Sequence, residues 1–206
     1  RSPVGRQVAG RTEEELYKAL GMEYIEPELR EMTGEIEAAI ANKLPKLINY
    51  RDLKGDLQIQ TNWTDGANSI EEMAKAAIDA GLEYIAITDH TKRLAMTHGL
   101  DEVRIQKQWK EIDEVNKRLK ASGTKFKVLK GTECDILKDG SMDLPDEILA
   151  KCEVVGASVH SLFNLSRKDQ TDRIKRAMSN PNVDIIFHPT GRILNKREAY
   201  DVDMEE

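Results

Sequence analysis

From Asp56 onward, short apolar runs alternate with longer amphipathic stretches along this chain. The runs are Asp56–Gln60, polar at every second position, then 83–88, 126–133, 153–159 and 184–187, and each reads as a strand. The stretches between them carry apolar residues at helical spacing. Ile70, Met73, Ala74, Ala77 and Ile78 form one stripe, Ile105, Trp109, Ile112 and Leu119 a second, and Ile174, Ala177 and Met178 a third. Ser69-Ile70-Glu71-Glu72 is a capping box opening the first of these helices, and Gly81 closes it. The second stops near Gly123. Asp139-Gly140 reads as the turn of a small hairpin, Pro145 as the start of a short helix and Asn180-Pro181 as the end of the last. This alternation predicts an α/β fold with parallel strands and helices outside. Five strands do not close a β/α barrel, so a partial barrel is expected.

Residues 1–50 lack that rhythm. Thr12-Glu13-Glu14-Glu15 has the capping-box pattern and opens a short helix ending near Gly21. Pro27 starts a second segment, in which Ile36, Ala39, Ile40 and Leu44 share a helical face until Pro45 stops it. This stretch reads as a helical arm or the tail of a preceding domain, and residues 51–206 as the β/α domain. The chain starts at Arg1 rather than Met and stops in Asp201-Val202-Asp203-Met204-Glu205-Glu206. Neither end looks natural, and a fragment of a longer protein is expected.

At 206 residues the chain can bury a real core, and with a third of its residues charged its surface is well solvated. The net charge of -6 argues against nucleic-acid binding by bulk charge and leaves local basic patches open. No apolar run approaches the roughly 18 residues of a membrane span, and no signal peptide is visible. Cys134 and Cys152 are too few for a disulfide framework, which points to a reducing, cytoplasmic setting. Cys134 follows Glu133 directly and should face the other side of the strand, into the core.

The chemistry lies at the ends of the runs. Ile85-Ala86-Ile87-Thr88-Asp89-His90, Val128-Leu129-Lys130-Gly131-Thr132-Glu133, Val154 to His160 and Asp184-Ile185-Ile186-Phe187-His188 each run from apolar residues into a side chain able to bind metal. In a β/α barrel, parallel strands put their C-terminal ends on one face, where side chains converge. Neutral imidazoles and a carboxylate gathered there make a divalent-metal site. Singly each residue is weak. A His after a strand is more often structural, Glu133 suits a surface strand end, Asp65 before Gly66 suits a turn, and His98 suits an exposed loop. Coincidence at four strand ends tips the balance to metal.

Several motifs make a resemblance specific: Gly55-Asp56-Leu57-Gln58-Ile59-Gln60-Thr61, Trp63-Thr64-Asp65-Gly66, Ile87-Thr88-Asp89-His90, Gly131-Thr132-Glu133, Ala157-Ser158-Val159-His160-Ser161 and His188-Pro189-Thr190-Gly191-Arg192. Over about residues 50–206 the chain resembles the PHP (polymerase and histidinol phosphatase) domain. The variant it looks most like is the one at the C-terminus of bacterial and archaeal family X DNA polymerases. His98-Gly99-Leu100-Asp101, Asp143-Leu144-Pro145-Asp146 and the arm Glu14 to Gly21, then Pro27 to Glu31, carry that likeness.

The resemblance implies a distorted, TIM-like β/α barrel holding several divalent metals, here with about five of its seven strands and a helical arm in front. It implies that Glu133, His160 and His188 form one catalytic metal site, with Glu133 bridging to a second. Asp65 and His90 belong to a third, His98 lines the pocket or ligates, and Asp56 supports the first strand from behind. The implied ions are Mn²⁺ or Zn²⁺, with Mg²⁺ in the polymerase module. The implied activity is metal-assisted phosphodiester hydrolysis of the 3′–5′ exonuclease type in DNA repair, with DNA and a preceding polymerase module as partners. Lys92, Arg93, Arg167 and Arg192 are candidates to hold phosphate. Two departures stand out. The family's first-strand His-x-His reads Gln58-Ile59-Gln60 here, and its final Asp-x-His pair does not occur after His188. Two other readings are therefore carried: a free-standing phosphatase for small phosphomonoesters, and a degenerate domain that positions DNA or stabilises the polymerase.

Overall fold

Residues 9–206 are described by a computed structural model; the start of the helical arm, residues 1–8, lies outside the described residues. The described chain falls into two units, divided between Tyr50 and Arg51.

In the first unit, helix α1 (Glu13–Ala19) begins where Thr12 Oγ1 accepts the Glu15 amide at 3.3 Å. The reciprocal bond differs from a capping box, since Glu15 Oε2 accepts from Arg11 N at 3.2 Å. Arg30 lies over the rings of Tyr17 and Tyr24 and pairs with Glu13 at 3.0 Å. Helix α2 (Glu35–Ile40) is shorter than its apolar spacing predicts. Asn42 takes φ 54°, a left-handed conformation that Asn tolerates, and Lys43 N bonds back to Ala38 O at 2.8 Å. The helix thus stops before Leu44, and of the predicted face only Ala39 is buried.

In the second unit, β1 (Gly55–Ile59), β2 (Tyr84–Ile87), β3 (Lys127–Asp135), β4 (Val154–Ser158) and β5 (Ile185–Ile186) pair in sequence order, every pair parallel. They form a curled half-barrel. Between them run α3 (Ile70–Asp79), α4 (Glu102–Ala121), α5 (Asp146–Leu149) and α6 (Arg167–Met178). The Ser69–Glu72 capping box is complete, and Asp101 caps α4 through the amides of Val103 and Arg104. The α3 and α4 stripes meet the sheet in one core with Ile70, Ile85, Ile87, Ile105 and Ile112 fully buried. Each such side chain contributes about 1.5–3 kcal/mol relative to exposure. A second cluster joins α6, through Ile174 and Ala177, to β4 and Tyr200. Met178, read as inward from its spacing, is 60% exposed because it is the last residue of α6, past the edge of that cluster. β5 is also shorter than the run 184–187, and His188 lies in the turn beyond it at φ 32°.

Residues in register across a sheet share a face. Glu133 pairs with Gly156 and Asp135 with Ser158, so these side chains line the face away from Cys134, which is fully buried in the helix-side core. Gly156 is there for space: a Cβ on it would lie 2.2 Å from the Phe187 ring. Gly156→Ala is expected to push Phe187 aside and to cost about 1–3 kcal/mol, read as a lower urea midpoint. An unchanged midpoint would mean that the ring moves away freely.

Candidate metal centre

Glu133 is the hub. It sits near the C-terminal end of β3, 1% exposed, with a different set of neighbours on each carboxylate oxygen. Oε1 accepts from Ser158 Oγ at 2.7 Å and lies 3.1 Å from His160 Nε2 and 2.7 Å from His188 Nε2. Oε2 accepts from Gln60 Nε2 at 2.8 Å and Gln58 Nε2 at 3.2 Å, and lies 3.9 Å from His90 Nδ1. Residues from the other four strand ends therefore reach the one carboxylate on β3. Burial alone would raise the Glu133 pKa. The hydrogen bonds from His160, His188 and Ser158 outweigh it and hold the group well below the usual carboxylate range.

His160 is clamped from both ring nitrogens. Nδ1 lies 3.1 Å from Asp135 Oδ1 while Nε2 faces Glu133. Burial works against its charged form, but Asp135 and Glu133 prevail and raise its pKa to about 9. His90 packs edge-on against His160, and His160 lies beside His188, with ring centroids 5.1 and 5.2 Å apart. Donor atoms of His90, Glu133 and His160 all fall within 4.8 Å of one another, and His188 joins them through Oε1. His90 Nδ1 is buried without a hydrogen-bond partner. An orphaned imidazole nitrogen facing a buried carboxylate fits a divalent cation, and the N/O donor set suits zinc or manganese.

The other predicted residues are placed as follows. Asp65, half exposed, lies 3.6 Å from His90 Nε2 and so belongs to the cluster's rim. Gln58 and Gln60 point into the site, as noted. Asp56 is exposed, and its Oδ1 accepts the Gln58 amide at 2.9 Å, fastening the backbone of β1 rather than a side chain. His98 is exposed at φ 56°, with its carbonyl accepting from Arg104. Of the basic residues, Lys92 is paired with Glu102 and Arg167 with Asp203. Arg93 stands 3.8 Å from Asp135 Oδ2, with half its side chain in solvent, and Arg192 is exposed.

Three positioning residues escaped the sequence reading. Asp135 orients His160; it lies two residues beyond Glu133, on the same face of β3, and a longer strand would have revealed it. Ser158 holds Glu133 Oε1. Asp89 is buried and accepts from Thr61 N at 2.7 Å, Thr61 Oγ1 at 2.6 Å, Gln108 Nε2 at 2.6 Å and Thr64 Oγ1, while its carbonyl takes the Glu133 amide at 3.1 Å. It ties the loop carrying Asp65 and helix α4 to the strand beneath the hub. Its place beside His90 was the available signal.

Comparison with known proteins brings these features together. Residues 56–201 match the family model of the PHP domain, and residues 2–31 match that of the DNA polymerase beta thumb. The chain is 42% identical over 195 residues to the DNA polymerase/3′-5′ exonuclease PolX of Bacillus subtilis (strain 168), covering 95% of this chain and 33% of that protein. It is 33% identical over 143 residues to a probable phosphatase of Thermoanaerobacter sp. (strain X514), covering 68% of this chain and 52% of the relative. A probable phosphatase of Caldanaerobacter subterraneus is 34% identical over 142 residues, with 67% and 50% covered. The chain thus spans a third to about half of the length of these relatives. Among the described residues, no helix is long and apolar enough to cross a membrane.

Proposed function

This chain belongs to the PHP domain family, and from that premise we propose that it is a metal-dependent phosphodiesterase domain acting on DNA 3′ ends within a family X DNA polymerase. The observation that carries the reading is the hub: one buried carboxylate with imidazoles from three strand ends around it. The thumb match over residues 2–31 and the breadth of the match to the Bacillus polymerase favour a polymerase-linked domain over a free-standing phosphatase. On this reading residues 1–50 are the end of a polymerase module, residues 51–206 the PHP domain, DNA the partner and the cytoplasm the compartment.

Glu133, His160, His188 and His90, with Asp65 at the rim, are the residues that would hold the ion, Mn²⁺ or Zn²⁺ by donor type. The ion's contribution when bound is Lewis acidity, which polarises a phosphoryl oxygen and makes a water acidic enough to attack at neutral pH. The chain's own residues do the rest. Asp135 keeps the His160 ring in place through Nδ1 and leaves Nε2 facing the site. Ser158 and the first-strand amides fix the Glu133 carboxylate. Arg93 and Arg192, exposed and without the close carboxylate partners of Lys92 and Arg167, are the side chains left to take up phosphate.

The test uses the full-length protein, a 5′-labelled single-stranded oligonucleotide and p-nitrophenyl phosphate, each with Mn²⁺ or EDTA. Shortening from the 3′ end should appear with Mn²⁺ and disappear with EDTA, while the monoester turns over poorly. Faster hydrolysis of the monoester, or cleavage indifferent to EDTA, would overturn the proposal.

A further inference from the structure

The two oxygens of Glu133 do not face equivalent surroundings. On the Oε1 side stand imidazoles, whose nitrogens can shed a proton and become lone-pair donors. On the Oε2 side two primary amides donate directly to the oxygen, and His90 Nδ1 stands farther off at 3.9 Å. An amide NH₂ keeps its protons and presents positive dipole ends. We infer that Gln58 and Gln60 close Oε2 itself to cations, so that Glu133 reaches its divalent ion through Oε1. The inference rests on the metal-centre reading above and deepens it.

The orientation of the amides is the central point. An amide can offer either its oxygen or its NH₂, and rotation by half a turn exchanges them. For Gln60 the surroundings decide. Its Nε2 lies 2.8 Å from Glu133 Oε2 and 3.3 Å from the Thr88 carbonyl oxygen. A backbone carbonyl can only accept, so the group facing it must donate. Turning the amide over would set its oxygen against the Thr88 oxygen. Gln58 lies two positions earlier on β1, on the same face, and aims its Nε2 at the same Glu133 oxygen. β1 itself is anchored at this level. Ile59 N donates to Thr88 Oγ1 at 2.8 Å, and Thr88 N donates to Ile59 O at 2.8 Å. Both amide nitrogens thus converge where a cation on that side would have to sit. They give Oε2 the compensation that an ion would otherwise supply, and they do so permanently.

Metal content of the full-length protein, measured by equilibrium dialysis against Mn²⁺ and elemental analysis, tests this with circular dichroism as the folding control. Gln58→His/Gln60→His should bind about one more ion per chain than the parent, because imidazole nitrogens replace amide protons. Gln58→Ala/Gln60→Ala should bind as many ions as the parent, since under this reading the amides are not ligands. Loss of an ion from the folded alanine pair would overturn the inference by making the amides ligands. No gain in the folded histidine pair would overturn it too. Adding Glu133→Gln to either pair should strip the ions that the hub holds. If that change releases nothing from the parent or from either pair, the metal centre itself fails, an outcome distinct from failure of the amide reading.

Discussion

Glu133→Gln is expected to strip the hub of its metal and to lower hydrolysis of DNA 3′ ends by more than about a hundredfold, since losing even an outer partner of a ligand costs about 10–100-fold. The substitution keeps the shape and removes the charge. With its oxygen toward Gln58 and Gln60, its NH₂ faces Ser158, His160 and His188, whose hydroxyl and imidazole nitrogens must then accept instead of donate. Hydrogen bonds to a charged group contribute about 1.5–3 kcal/mol and neutral ones about 0.5–1.5, so the variant should also melt earlier. Glu133→Asp keeps the charge but shortens the reach, and should recover stability better than metal. Elemental analysis, thermal melts and oligonucleotide cleavage on one preparation check this. Unchanged metal and unchanged cleavage in Glu133→Gln would remove Glu133 from the centre.

The second large effect is expected at Arg173, whose hydrogen bonds all go to the backbone. This α6 side chain is 2% exposed and spends its donors on backbone carbonyls: Nε on Leu137 O at 2.9 Å, Nη1 on Ser161 O at 2.8 Å and Nη2 on Ile136 O. Burial pulls its pKa below the ordinary value, yet a guanidinium stays charged at any working pH. The three carbonyls belong to the segments that follow β3 and β4, directly after Asp135 and His160. Arg173→Met removes every donor, and of the three oxygens Leu137 O keeps a bond from Gly140 N at 3.0 Å. Hydrogen bonds from a charged group contribute about 1.5–3 kcal/mol each, so a loss of about 3–5 kcal/mol is expected, allowing for partial relaxation. For a domain of this size that lowers Tm by roughly 6–20 °C. Arg173→Lys keeps the charge but loses the planar fork that spans the three carbonyls, and should recover only a fraction. A Met variant within about 0.5 kcal/mol of the parent, the range of neutral surface changes, would show that the clamp is idle.

Some of this was legible in the chain and some was not, for physical reasons. The strand ends carrying His90, Glu133 and His160 were visible because a period of two and a flanking helix leave a mark in a single stretch of sequence. The convergence of Gln58 and Gln60 followed from their spacing by the same rule. Asp135 was missed because the strand was ended at Glu133, two residues short of where pairing with β4 carries it. Met178 and Leu44 were misread because helical spacing marks a face but not where the helix stops. In the arm that stop is set by Asn42 in a left-handed conformation. Arg173 left no pattern at all, since its partners are carbonyls, which every residue possesses. His188 was expected as a strand end and lies instead in a turn, where a positive φ, rather than a strand, aims the ring at Glu133.

The sheet's pairing in strict sequence order fixes a sequence of events during synthesis. No strand waits for a partner made later than the next one, and the pocket grows from its first edge. A nascent chain that has reached residue 150 already contains β1, β2 and β3, and with them Glu133 and its two amides, but neither His160 nor His188. The carboxylate therefore has neutral companions before the imidazoles that would complete a metal cage exist. Birth order along the polypeptide makes this half of the pocket old and the other half young.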